Sequence, residues 1–205
     1  MSWADHRWDL YAPHYDRFVA FTPHRQRSIQ LAQIQPGERV LISGCGTGLD
    51  LPLLPRGIQI DAVDLSPRMI EQARLKAVGL HVRFQTMDAQ ALNFPDATFD
   101  VVILHLIIAI VPDPLRAFQE AVRVLKPNGR IALFDKYFHG PGQPRLIRRL
   151  LNPLLRAIAT DLNTRTLELA AKAGLRVVHH EPAMLGGLFG VARLERQTRS
   201  PAAVA

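Results

Sequence analysis

The chain has 205 residues, 48% apolar and 21% charged, with a formal net charge of +7, a composition that fits one ordinary globular domain with a full core. The lone cysteine, Cys45, excludes a disulfide framework and fits a reducing compartment, and the longest apolar run, Val101–Val111 with His105 inside it, is too short to span a bilayer. The positive excess favours an anionic partner (nucleic acid, a lipid headgroup surface or an acidic substrate), although a small basic domain also carries such a charge with no partner.

Residues 1–36 read as a helical, aromatic-bearing lead-in. The opening MSWADHRWDL has two acids and no apolar h-region, so no secretory signal is expected there. From about Glu38 strand-like and helix-like segments alternate. RVLIS (Arg39–Ser43) is a short apolar strand, and Gly44, Gly46 and Gly48 follow where a first helix is expected to begin. IQIDAVD (Ile58–Asp64) alternates and ends in an acid. The next helix spans Ser66–Ala77, with a serine cap and Pro67 at its first position, and Gly79 stops it. HVRFQT (His81–Thr86) is a strand, and the apolar FDVVILH (Phe99–His105) suits a strand covered on both faces. Pro114–Lys126 is an amphipathic helix stopped by PNG, and RIALFD (Arg130–Asp135) is the next strand. LRVVHH (Leu175–His180) and GLFGVARLE (Gly187–Glu195) close the chain as a hairpin. Strands separated by helices build βαβ units. The expectation is α/β: a doubly wound, mostly parallel seven-stranded sheet with a C-terminal antiparallel strand. It forms one domain over 37–196, with a tail at 197–205.

Glycine permits a sharp turn and close approach of a ligand to the backbone, and amides at a helix start can face that ligand. The dinucleotide fingerprint G-x-G-x-x-G needs its third glycine at Leu49; here it comes one residue early, at Gly48. A purely structural strand–helix turn is the alternative. Asp64, at the end of the second strand, can accept two hydrogen bonds from a ribose diol; the alternative is a helix cap, for which Ser66 is better placed. Asp88 can accept from an adenine amino group, with Met87 or Met69 against the ring, or it can cap the segment after it.

Four stretches, VLISGCGTG, AVDLS, MDAQALNFPDATFDVVILH and RVLKPNGRIALFD, stand in this order between Gly37 and Lys136. Together they resemble the class I S-adenosylmethionine-dependent methyltransferases. The resemblance implies a Rossmann-like fold and S-adenosylmethionine as cofactor. By position, Gly44, Gly46 and Gly48, with Ser43 before them, would line its methionine and ribose part. Asp64 and Leu65 would take the ribose, and Met69, Asp88 and Ala89 the adenine. His105 and Leu106 would face the sulfonium and the acceptor, which makes His105 a catalytic candidate; a histidine closing an apolar strand end is the alternative. The family usually has an acid at the end of the first strand, where this chain has Ser43, and that acid helps hold the cofactor's amino group. Methyl transfer is an in-line displacement, and alignment of the reactants is worth roughly 7–11 kcal/mol. An amine acceptor must also arrive uncharged, through a base or a desolvated pocket.

WDLYAPHYDRF (Trp8–Phe18) resembles the N-terminal segment shared by quinone C-methyltransferases and bacterial phosphatidylethanolamine N-methyltransferases, which implies Tyr11 and Tyr15 as parts of a lid over the cofactor and as catalytic candidates beside His105. The longer pattern of the quinone enzymes is missing except for His24 and Arg25. RLIRRLLNPLLRAI (Arg145–Ile158) is amphipathic, with Arg145, Arg148, Arg149 and Arg156 on it, and can lie on an anionic membrane surface. A core-facing helix with a solvated arginine edge, kinked at Pro153, is the alternative. IVPDP, DKYFHG and EPAMLGGLFGVARL extend the likeness to the lipid enzymes. The expected activity is N-methylation of a phosphatidylethanolamine-type lipid amine by a cytoplasmic protein peripheral to the inner membrane face. C- or O-methylation of a quinone or other small molecule is the alternative. Nucleic acid is disfavoured, because HLIIAIV stands where exocyclic-amine methylases carry Asn-Pro-Pro-aromatic, and Cys45 lies in the glycine loop rather than where a C5 nucleophile belongs. The glycine spacing also disfavours a nicotinamide oxidoreductase. Trp3 and Trp8 suit a membrane interface or simple packing. His179 and His180, adjacent on a strand, point to opposite faces without a third ligand, so no metal site is expected. Nothing in the sequence specifies an oligomer.

Overall fold

In a computed structural model, described here for residues 8, 9, 12, 16–136, 165–184 and 187–197, apolar strand segments pair into one sheet. The strands are β1 (Arg39–Ser43), β2 (Gln59–Asp64), β3 (His81–Thr86), β4 (Phe99–His105), β5 (Leu125–Lys136), β6 (Leu175–Met184) and β7 (Phe189–Arg196). Their order is β3-β2-β1-β4-β5-β7-β6. The first five run parallel. β7 is antiparallel to β5, and β6 is antiparallel to β7, so the expected closing hairpin is present and inserts its second strand beside β5.

The central strands alternate between two buried layers because successive side chains point to opposite faces. Leu41, Val102, Leu104 and Leu133 pack with Phe118, Ala121 and Ala170 on one face. Val40, Ile42, Ile103 and Ala132 pack with Ile29, Ile70 and Ala73 on the other. The covering helices are α1 (Asp16–Val19), α2 (Thr22–Ala32), α3 (Pro67–Arg74), α4 (Pro114–Val124) and α5 (Thr166–Lys172). α2, within the lead-in, packs on β5 and β7. Arg130 holds it there, donating to the carbonyl oxygens of Ala32 and Gln33 while paired with Glu38 at 2.8 Å.

Three element boundaries differ from the sequence expectation. No α-helix follows the glycine loop: the link from β1 to β2 contains only a 3-10 turn, Leu51–Leu53. Pro52 and Pro55 interrupt it, and proline inside a helix removes an amide donor. α3 starts as expected, with Ser66 Oγ accepting from the Met69 amide at 3.1 Å. It ends at Arg74 rather than Ala77, because the next amides bond three residues back, Lys76 to Ala73 and Ala77 to Arg74. α4 stops at Val124 rather than Lys126. Pro127 disfavours helical backbone at Lys126, and Leu125 is already extended, at φ −77° and ψ 133°, pairing with Phe99. The PNG segment therefore lies inside the span of β5, beside an irregularity in its pairing with β4.

Candidate active site

The sheet's parallel strands end together, and a pocket opens over the carboxyl ends of β1, β2 and β4, where open α/β sheets bind ligands. Its floor is the glycine loop. The amides of Gly44 and Cys45 both donate to Val63 O, at 2.9 and 2.8 Å, which ties the loop to β2. Gly44 has φ +75°, and a Cβ there would lie 2.6 Å from Ile107 Cδ1. Gly44 and Gly46 line the pocket. Gly48 does not: a Cβ on it would lie 2.8 Å from Ala73 Cα, so its missing side chain lets the loop pack against α3. Ser43 is buried in the ladder opposite Val63 and is likewise not on the pocket wall. Cys45 is buried, which together with Asp64 and Asp50 nearby pushes its thiol well up.

Asp64 stands at the end of β2, on the wall. Its Oδ2 accepts from the Gly46 amide at 2.8 Å and its Oδ1 from the Ser66 amide at 3.0 Å. Burial raises its carboxyl above the ordinary aspartate value, against the pull of those amides. Leu65, Met69, Met87, Asp88 and Ala89 continue the wall. Asp88 caps the segment after it and also stands on the pocket wall. Its Oδ1 accepts from the Gln90 amide at 2.8 Å and from Gln90 Nε2 at 3.0 Å.

Trp8 lines the pocket as well, a placement that sequence reasoning missed. Two lead-in acids anchor this segment: Asp9 accepts from Ser66 Oγ, and Asp16 accepts from Thr47 Oγ1 and pairs with Lys76 at 2.9 Å. The signal was present in the WD and YD pairs, but their partners lie far along the chain. Tyr11 and Tyr15, and Arg145, Arg148, Arg149 and Arg156, lie outside the described residues.

His105 does not present a base to an acceptor. Its Nδ1 is 2.8 Å from Asp50 Oδ1 and its Nε2 is 2.9 Å from Ser28 Oγ. Arg25 Nη1 donates to both oxygens of Asp50, at 3.0 and 3.1 Å. Burial pushes the Asp50 carboxyl up, but His105 and Arg25 outweigh it and hold the group well below the ordinary carboxylate range. Nδ1 therefore faces the ionised Asp50 and Nε2 faces the Ser28 hydroxyl, so both ring nitrogens are committed to buried polar partners. The order Ser28–His105–Asp50 matches that of a hydrolytic triad, yet Ser28 is 0% exposed and meets no substrate. The quartet joins α2, the glycine loop and β4, and His105 lines the pocket at the same time. Asp50, Arg25 and Ser28 were not legible as partners, because nothing in the local sequence links three elements.

The turn after β4 forms the other wall through Leu106, Ile107, Ile110 and Val111. Leu106 has φ +59°, a left-handed conformation that costs an L-residue roughly 1–2 kcal/mol. Its amide donates to Phe134 O at 2.7 Å, and Asp135 Oδ2 accepts from the Ile108 amide at 2.8 Å.

S-adenosylmethionine fits this set of residues. Asp64 offers acceptors to a ribose diol, the two methionines and Ala89 offer an apolar slot beside Asp88 for adenine, and Gly44 and Gly46 leave backbone open to the methionine end. A family profile described as a methyltransferase domain matches residues 41–133. A phosphatidylethanolamine N-methyltransferase of Cereibacter sphaeroides is 30% identical over 195 residues, spanning 93% of this chain and 95% of the relative. A demethylmenaquinone methyltransferase of Thermus thermophilus is 37% identical over 136 residues, spanning 60% of this chain and 61% of its own. A solved complex of the Haloferax volcanii Trm112 methyltransferase activator with a methyltransferase gives a TM-score of 0.75 at 19% identity, over 93% of this chain and 98% of that one. A SAM-dependent methyltransferase of Aquifex aeolicus gives 0.63 at 21%, over 95% and 99%. The structural matches show the shared fold, the sequence matches show the family, and the pocket carries the cofactor's residue types in place: the chain belongs to the class I S-adenosylmethionine-dependent methyltransferases.

Proposed function

We propose that the protein N-methylates the amine of a membrane lipid of the phosphatidylethanolamine type, working at the membrane surface. The observation that carries this reading is the acceptor wall. Leu106, Ile107, Ile110 and Val111 are aliphatic, and the histidine beside them has both ring nitrogens committed to Asp50 and Ser28. An apolar wall lowers the pKa of a buried ammonium, so an amine entering it loses its proton to solvent without a protein base. When bound, the cofactor supplies an activated methyl on its sulfonium. Asp64 and the glycine loop orient that group, Trp8 and its anchored segment cover it, and the aliphatic turn excludes water from the line of attack.

A lipid as the carrier of that amine is supported by the likeness to the Cereibacter sphaeroides enzyme, which runs the length of both chains. In this reading Tyr11 and Tyr15 complete the lid, and Arg145, Arg148, Arg149 and Arg156 meet anionic headgroups on the cytoplasmic side of the membrane. Among the described residues no helix is long and apolar enough to cross a membrane. The shorter but slightly closer match to the Thermus thermophilus enzyme supports a second reading, methylation of a quinone precursor. Methyl-labelled S-adenosylmethionine with vesicles of phosphatidylethanolamine and an anionic lipid separates them. Label in mono- and dimethylated headgroups supports the first reading. Label only with demethylated quinones supports the second, and an empty organic phase in both refutes the two together.

A further inference from the structure

Asp135 is wholly buried at the end of β5, with a side chain 0% exposed. Its neighbours Ile131, Leu133 and Phe134 are apolar and equally buried, and an apolar residue at this position would serve the core without desolvating a carboxylate. The bonds of Asp135 show what the carboxylate is for. Oδ2 accepts from the amides of Ile108 and Ala109, at 2.8 and 3.4 Å, and Oδ1 accepts from the Lys136 amide at 2.7 Å. The first two amides belong to the turn after β4, in which Leu106 is left-handed and Ile107 overlies Gly44. Relaxing that turn moves Ile107 relative to Gly44, where a Cβ would lie 2.6 Å from Ile107 Cδ1. Strained backbone persists where its surroundings over-determine it, and here the Asp135 oxygen and the Phe134 carbonyl do so from β5.

We propose that Asp135 is a positioning residue for methyl transfer: by holding the Ile108 and Ala109 amides it presses Ile107 onto the glycine loop and sets the width of the cofactor pocket. It touches neither cofactor nor acceptor and acts through the turn. The inference rests on the cofactor site, not on the choice of acceptor.

The test uses the full-length protein with S-adenosylmethionine as the probe. Calorimetric Kd is measured for wild type, Asp135→Asn and Asp135→Ala, and amide hydrogen exchange is followed at Ile108 and Ala109. A graded series is expected. Asp135→Asn keeps one accepting oxygen and weakens cofactor binding three- to tenfold, whereas Asp135→Ala weakens it at least tenfold. In each, exchange quickens at those two amides and stays slow in β1 and β2. Affinities within twofold of wild type overturn the proposal, as does faster exchange spread evenly through the sheet. If Asp135→Ala does not fold, Asp135→Asn carries the test, and a wild-type Kd with wild-type exchange overturns it. A wild-type protein that binds no S-adenosylmethionine refutes the cofactor site and the proposal together. A wild-type protein that binds it but methylates no lipid refutes the lipid reading alone.

Discussion

Arg25 on α2 and Asp50 after the glycine loop form a buried, doubly bonded ion pair, with Arg25 Nη1 at 3.0 and 3.1 Å from the two carboxylate oxygens. His105 completes it from β4 at 2.8 Å. The pair therefore fastens the lead-in helix to the glycine loop on the pocket floor. Its charges compensate each other, so removing one leaves the other stranded in low dielectric.

Asp50→Asn should destabilise the protein by about 3–5 kcal/mol, the usual cost of orphaning a buried charge. Urea unfolding measures it as a lower midpoint at unchanged slope. The pH dependence has a definite sign. A depressed native pKa contributes stability above the ordinary aspartate value and loses it as pH falls through the native one. The variant should accordingly show a shallower acid limb, and a wild-type-like limb would refute the depressed carboxylate.

Asp135 has the opposite sign. Burial pushes its carboxyl up to about 6, from an ordinary 3.8. The native state holds the proton more tightly, so stability is highest below pH 4 on this account and declines as pH rises to about 6. The full decline is on the order of 3 kcal/mol. Asp135→Asn should flatten much of that slope, leaving the contribution of Asp64, whose carboxyl burial also raises. An unchanged slope would show that Asp135 stays ionised throughout.

Gly44→Ala and Gly48→Ala should separate binding from packing. Gly44 faces the pocket and Ile107, so alanine there should weaken S-adenosylmethionine at least tenfold. Gly48 faces Ala73 Cα, a backbone atom that cannot yield. Alanine there should cost about 1–3 kcal/mol of stability by overpacking, with the Kd of the folded protein changed less than threefold. Thermal unfolding with and without cofactor distinguishes the two, and equal effects on Kd would return Gly48 to the binding site.

Trp8 on the pocket wall should report cofactor binding. Titration with S-adenosylmethionine should change the intrinsic fluorescence, and Trp8→Phe should abolish most of that change while weakening Kd a few-fold. A full signal retained in Trp8→Phe would assign it to Trp3.

The order of the strands in the sheet came from the fold, whereas the amino-acid sequence alone determined the seven strands, the mostly parallel character of their sheet and the carboxyl-end location of Gly44, Gly46, Asp64 and Asp88. These depend on local quantities: strand periodicity, glycine at positive φ, and a serine–proline helix start, each readable within a few residues. Its errors arose where a side chain's role depends on what meets it in space. His105 lines the pocket as expected, but as a candidate base it is committed in the fold, because Asp50 and Ser28 close on its two nitrogens. Gly48 belongs to the same motif as Gly44, but the packing of α3 takes it for the core. Asp135 ends an ordinary strand in sequence and holds a strained turn in the fold. The physical reason is common to all three. Hydrogen bonds and steric contacts between distant segments leave no periodic trace in the chain, so only the tertiary structure decided which polar groups face the ligand and which face one another.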